Sequence, residues 1–350
     1  METRDPAPPE RDVQDRMTNV LDWRHRNIAI DSRFLLAINA IIPLSFLVIV
    51  LDTSIWGGAV KQFLPHKPED YAWFSFIFNL PHIVASFVTY ADRDYVRHYK
   101  WQLARSAMLC ITISSALAFF ISPTFFFMCF SVFTIYHLIM QQYGISLMLM
   151  KRRPNLIFQF WRWLSLAAGA SVFLGVYRPE QMIDGTNIGW ETGGYIMLFL
   201  SIPFAILFYW QEMRGDDISR TSKAYYVMSC LIVVAACFAS SMGYPFIMVM
   251  IPRFIHDGTA FTFYAVHDHN RNLETSHNWL YRVLRPLHIS PLVLCLPLSI
   301  ALTWYFAMHE YDSLPVMIFL LFITLVHFHM EGYMWKRDTP HRKHVSFKVA

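Results

Sequence analysis

Four histidines stand apart in this sequence because of what surrounds them: His82 in Phe78-Asn79-Leu80-Pro81-His82, His137 in Thr134-Ile135-Tyr136-His137-Leu138, His256 in Pro252-Arg253-Phe254-Ile255-His256, and His327 in Leu325-Val326-His327-Phe328. Each lies inside an apolar run, where an ionisable group costs at least ~2.5 kcal/mol on insertion scales and is retained only against a partner, a cavity or a metal. Imidazole is an intermediate ligand that holds iron, zinc or copper through one ring nitrogen while a neighbour fixes the other. Four such ligands leave iron(II) open positions for dioxygen and a substrate, whereas zinc in an all-histidine tetrahedron is a closed, structural site. The chemistry these residues point to is therefore redox. Fe2+ is the expected cofactor, with another transition metal as the alternative.

Polar residues recur one or two helical turns away. Asp257 follows His256, Tyr264 lies two turns beyond it, and Glu331 lies one turn past His327. These three are the expected catalytic residues: Asp257 adjoins a deep histidine in sequence, and Glu331 and Tyr264 share a helix face with one. Arg253 and Asp257 are also i,i+4 partners, so mutual neutralisation is a competing reading of that pair. A second group, His267-Asp268-His269 with His329, reads as a loop cluster able to hold a second metal. His267, His269 and His329 therefore join the four deep histidines as candidate ligands.

The elements that must carry these residues are membrane helices. Only 15% of the 350 residues are charged while 55% are hydrophobic, against about 25% charged in an ordinary soluble domain. Runs near 20 apolar residues mark spans at 33–51, 70–90, 106–121, 124–149, 159–177, 193–210, 225–242, 244–266, 290–308 and 314–335. The expected fold is all-α: a polytopic transmembrane helix bundle of about ten spans with both termini cytoplasmic. Residues 1–32 form a cytoplasmic N-terminal tail, 33–336 the transmembrane helical domain, and 337–350 a cytoplasmic basic tail. Of the 29 Lys and Arg residues, all but Lys61, Lys67, Arg178 and Arg253 then fall on the inner side, as the positive-inside rule asks. That bias accounts for the net charge of +4 without a nucleic-acid partner, since basic loops anchor against anionic lipid. The expected location is the cytoplasmic (inner) membrane.

Counted from the outer end of its span, each deep histidine lies 12 or 13 residues in, or ~18–20 Å at ~1.5 Å per residue. All four belong to spans running in the same direction. Four imidazoles at one depth on four helices can meet at one point. Five cysteines fall inside apolar runs with no Cys-x-x-Cys spacing, which indicates neither a disulfide framework nor a thiolate site.

The Leu80-Pro81-His82 element, the single histidines in later runs and the number of spans resemble membrane non-haem iron oxygenases of the bacterial β-carotene 15,15′-dioxygenase type. Ile83-Val84-Ala85-Ser86 stands where that family's pattern carries an acidic residue. The resemblance implies an all-helical membrane protein whose transmembrane histidines hold iron. Membrane fatty-acid hydroxylases and desaturases are similar in type, but their His-x-x-x-His and His-x-x-His-His boxes are absent.

The function expected is an integral-membrane, iron-dependent oxygenase acting with dioxygen on an apolar lipid-like, terpenoid or polyene substrate, with the bilayer as its route of entry. The electron donor is not specified by the sequence. The alternatives are a dinuclear-iron membrane hydroxylase or desaturase drawing on His267, His269 and His329, and a proton- or metal-coupled transporter in which buried His, Arg253 and Asp257 line a polar path.

Overall fold

A bilayer offers no water to backbone N–H and C=O groups, so an apolar chain satisfies them within helices. The computed structural model describes residues 26–65, 80–116, 120, 123–177, 189–215, 217–308, 313–336 and 338–349, and helix dominates them. In chain order the helices are α1 (Ser32–Ile38), α2 (Ile41–Ser54), α3 (Ala59–Phe63), α4 (Leu80–Val88), α5 (Arg93–Ser115), α6 (Pro123–Met150), α7 (Leu156–Tyr177), α8 (Trp190–Glu212), α9 (Arg220–Ser241), α10 (Pro245–Arg271), α11 (Trp279–Leu284), α12 (Pro291–Ala307), α13 (Leu314–Met334) and α14 (Pro340–Lys343). Side-chain caps start several of them. Asp92 accepts from Asp94 N at α5, Ser219 from Ser222 N at α9, and Ser290 from Leu292 N at α12, each relieving one of the amide donors a helix N-terminus leaves over.

Four of the described segments are long and apolar enough to cross a membrane: Ser32–Ser54, Leu156–Val176, Trp190–Glu212 and Arg220–Ser241. A fifth is added if Trp279–Leu287 and Pro291–Phe306, bent by 107°, count as one broken span. Expected spans within 70–90 and 314–335 appear as the shorter apolar helices Leu80–Ala91 and Ile318–Met334, and residues 66–79 lie outside the described part. The expected loop from residue 267 is instead helix: α10 continues to Arg271, with His267, Asp268 and His269 each 1% exposed. Apolar run length marks where hydrocarbon stops. A helix whose polar side chains find internal partners goes on past that point.

α10 is the central rod, packed against α9, α12, α6, α2 and α4. A short ladder departs from the all-helical expectation. Strand β1 (Ala29–Asp31) pairs in parallel with β2 (Ser346–Lys348), Ile30 opposite Phe347, which puts these two near-terminal segments at one end of the bundle. At the start of α10, the buried carboxylate of Asp52 accepts from Val60 N and Lys61 N, both at 2.9 Å, and from Tyr244 Oη at 2.7 Å. It thereby ties α2 and α3 to α10.

Aromatic packing holds α6 to α7 and α9. Trp161 lies 4.2 Å from Tyr143 and 5.1 Å from Tyr226 between ring centroids. α7 and α8 approach closely enough that a Cβ on Gly194 would stand 2.6 Å from Val172 Cγ2 and 3.0 Å from the Ala168 carbonyl. Small residues permit such helix contacts in membranes, and backbone cannot yield to a larger one. Gly194→Val should therefore destabilise the protein by about 1–3 kcal/mol, read as a lowered midpoint in detergent thermal unfolding.

Candidate metal centre

Four helices each contribute one histidine to a common point: α4 His82, α6 His137, α10 His256 and α13 His327. One ring nitrogen from each lies within 4.8 Å of the others, and all four residues are buried. The rings close a circuit, with centroids 4.9 Å apart for His82 and His256, 4.7 Å for His256 and His137, 5.2 Å for His137 and His327, and 5.0 Å for His327 and His82. Interplanar angles of 69–84° turn the ring edges toward the centre. A metal with ~2.0–2.1 Å bonds to nitrogen sets neighbouring donors ~3–3.4 Å apart and opposite donors ~4.2 Å apart. His82 Nε2 and His256 Nε2 stand 3.3 Å apart, already at the separation of neighbouring donors, and the full set lies within 4.8 Å.

The tautomer of His327 follows from its neighbours. The Ser86 hydroxyl, one turn past His82, donates to the Ile83 carbonyl at 2.6 Å and lies 2.8 Å from His327 Nδ1. A hydroxyl has one proton, so Ser86 accepts from His327 Nδ1–H and leaves a lone pair on Nε2. At His82, Asp257 Oδ1 stands 3.0 Å from Nδ1, which leaves Nε2 for the centre. Glu331 approaches from the other side, with Oε2 3.4 Å from His137 Nε2 and Oε1 4.0 Å from His327 Nε2. Tyr264 donates a short hydrogen bond to Glu331 Oε1. Asp257, Tyr264 and Glu331 thus all meet the histidine circuit.

The donor set fits a cation. Among the described residues, His137 Nε2, His256 Nδ1 and His327 Nε2 are buried without a hydrogen-bond partner, and the Asp257 carboxylate, though 3.0 Å from His82 Nδ1, is satisfied by no hydrogen bond of good geometry. Each such atom costs ~1–3 kcal/mol, and a bound dication offsets both the exposed lone pairs and the two nearby carboxylates. Phe328 stacks on His137 at 4.3 Å, giving the site an apolar wall.

His267, His269 and His329 do not join this circuit. His267 Nδ1 donates to Asp268 Oδ1 at 2.8 Å, and its Nε2 accepts from Tyr95 Oη at 2.8 Å. Tyr281 closes the other side by donating to Asp268 Oδ2 at 2.7 Å. His269 lies between Ser290 Oγ at 2.8 Å and the Arg26 carbonyl at 3.1 Å. His329 Nδ1 meets Ser106 Oγ at 2.6 Å. Both ring nitrogens of His267 and of His269 and Nδ1 of His329 are used by hydrogen bonds, and the three are not drawn together into a ligating group among the described residues. The other cluster with ligating spacing is Asp92, Asp94 and His277, and Arg271 already fills it, 2.9 Å from Asp92 and 2.8 Å from Asp94.

Sequence reasoning missed Ser86 and the tail. Ser86 carries the i+4 spacing from His82 that would have marked it. His341 of α14 carries no local signal, yet it stacks on His267 at 4.7 Å and bridges Tyr99 Oη at 3.2 Å and Thr89 Oγ1 at 3.3 Å. Thr89 in turn donates to the Ser86 carbonyl at 2.7 Å, so the tail rests on the turn that positions Ser86.

Comparison of the chain with known protein families, with curated proteins and with solved structures returns no match.

Burial, reinforced by His267, His344, Arg271 and His98, holds the His341 ring well below its usual 6.5. Burial, reinforced by His267, Arg271 and His277 against Asp92, brings His344 down to about 4. Released rings bind protons more readily than docked ones. Docking of the tail is therefore at full strength above pH 6.5 and weakens as pH falls toward about 4. Amide protection factors over 340–349, corrected for the pH dependence of intrinsic exchange, should be high at pH 7 and markedly lower at pH 5, with α10 still protected.

Proposed function

We propose that this protein is a membrane oxygenase in which His82, His137, His256 and His327 hold iron(II), and which oxidises an apolar lipid-like, terpenoid or polyene substrate with dioxygen. The observation that carries this reading is the buried four-histidine circuit, contributed by four helices and flanked by two carboxylates and a phenol. The residue-level resemblance to iron oxygenases supports it. Iron bound there supplies the redox chemistry that activates dioxygen.

The chain's own residues do the rest. Ser86 and Asp257 fix two imidazole orientations through their Nδ1 atoms, as outer partners of ligating histidines do. Glu331 is placed to hold or release a proton beside His137, with the Tyr264 hydroxyl steadying one of its oxygens. All four rings are buried and Phe328 stacks on His137, and exclusion of water strengthens every charge interaction within the site. Addition of both oxygen atoms across a C=C bond needs no external electrons, whereas C–H hydroxylation draws two from a donor.

Protein purified without chelator should contain about one iron per chain, since four imidazoles supply one complete ligand set. His256→Ala should remove the metal and the oxidised lipid products of expressing cells together. Ser86→Ala should weaken metal affinity by roughly 10–100-fold. Full iron content in His256→Ala would remove that residue from the centre. Metal flux into proteoliposomes without oxidised products would favour the carrier reading.

A further inference from the structure

Helix α5 begins with a row of cations that forms no ion pair among the described residues. Arg93, Arg97 and Lys100 recur at i, i+4 and i+7, which places them on one face, and all three are exposed. Like charges at this spacing repel. The acidic residues beside them, Asp92 and Asp94, are already taken by Arg271. Among the described residues none of the three cations forms an ion pair, and Lys100 lies only over the Trp101 ring, at 5.5 Å. The N-terminal end of α5 adds the positive end of its dipole at the same place.

With Tyr90, Val96 and Trp279 these cations line a shallow, open groove of about 700 Å³. Val96 and Trp279 are 44% and 53% exposed and make an apolar flank opposite the charges. Tyr90 forms one wall. Its phenol oxygen is buried without a hydrogen-bond partner among the described residues, and its ring packs into the same cluster as Tyr264. Tyr90 stands in a 3-10 turn, Thr89–Ala91, that directly follows α4. Eight residues separate it from His82, so the groove and the histidine circuit lie ~12–13 Å apart along this segment.

Three uncompensated cations exceed what one carboxylate balances, and they match a phosphate monoester carrying about −1.5 to −2 at neutral pH. Arginine forks suit its oxygens. We propose that this groove binds the phosphate-monoester head of an amphiphile whose apolar chain extends along α4 toward His82, His137, His256 and His327. The fate of that chain rests on the oxygenase reading above; recognition of the head does not.

The test uses the full chain in neutral-lipid nanodiscs at physiological ionic strength, with dodecyl phosphate, dodecanol and inorganic phosphate as probes in titration calorimetry. Dodecyl phosphate should bind at least about tenfold more tightly than either dodecanol or inorganic phosphate, because head and chain contribute together. Combined R93Q, R97Q and K100Q should lose about tenfold or more of that affinity while metal content and dodecanol binding stay unchanged. Arg97→Gln alone should lose several-fold, which keeps the proposal testable if the triple variant misfolds. Equal binding of dodecyl phosphate to wild type and either variant overturns the proposal, as does dodecanol binding as well as its phosphate ester. Inorganic phosphate binding as tightly as dodecyl phosphate would reveal a soluble-anion site instead. His256→Ala should keep dodecyl phosphate binding. A wild-type protein that binds the ester but no metal would sink the oxygenase reading alone, and one that holds metal but ignores the ester would sink this proposal alone.

Discussion

Burying four imidazoles and two carboxylates around one point in an apolar bundle is the constraint to which the rest of this structure answers. Each ring nitrogen taken from water needs a proton acceptor, a donor or a cation, and a missing partner costs ~1–3 kcal/mol. Two of the outward-facing nitrogens, His327 Nδ1 and His82 Nδ1, lie beside Ser86 and Asp257. Of the inward-facing ones, His82 Nε2 and His256 Nε2 stand 3.3 Å apart, a separation that two donors to one cation also keep.

That arrangement requires four helices to hold their depth and rotation together. α10 does most of this, because it packs on α4, α6 and α12 while carrying His256, Asp257 and Tyr264 itself. Asp52 secures the end near Tyr244, and the Asp268, His267 and Tyr95 network secures the end near Arg271. Contacts at the two ends of a rigid rod limit its sliding and rotation in the middle, where the histidine stands. The tail takes part as well, since His341 reaches Thr89 and through it the Ser86 turn.

The two clusters of α4 and α5 divide the chemistry by solvation. The histidines lie where charge is expensive, and what stands beside them is a serine, two carboxylates and one another, all buried. Arg93, Arg97 and Lys100 lie where water screens them, and there three like charges persist side by side around an open groove. An amphiphile presents the complementary division, with a charged head and an uncharged chain.

Local periodicity made much of this legible beforehand. Run length marked helical elements, equal depth singled out His82, His137, His256 and His327, adjacency to His256 pointed to Asp257, and i,i+4 spacing from His327 pointed to Glu331. These are properties of one helix at a time, and helix geometry converts spacing directly into depth and face. What tertiary structure alone decided is which distant groups meet. His327 is oriented by Ser86, 241 residues away, and His267 faces Tyr95, 172 residues away. His269 and His329 are taken by serines on other helices, so histidines identical in type to the ligands became hydrogen-bonding residues. The continuation of α10 past its apolar stretch, the bend before α12 and the pairing of Ala29–Asp31 with Ser346–Lys348 have the same origin. Each depends on partners brought close by packing, and sequence spacing carries no information about a contact whose two sides are set by different helices.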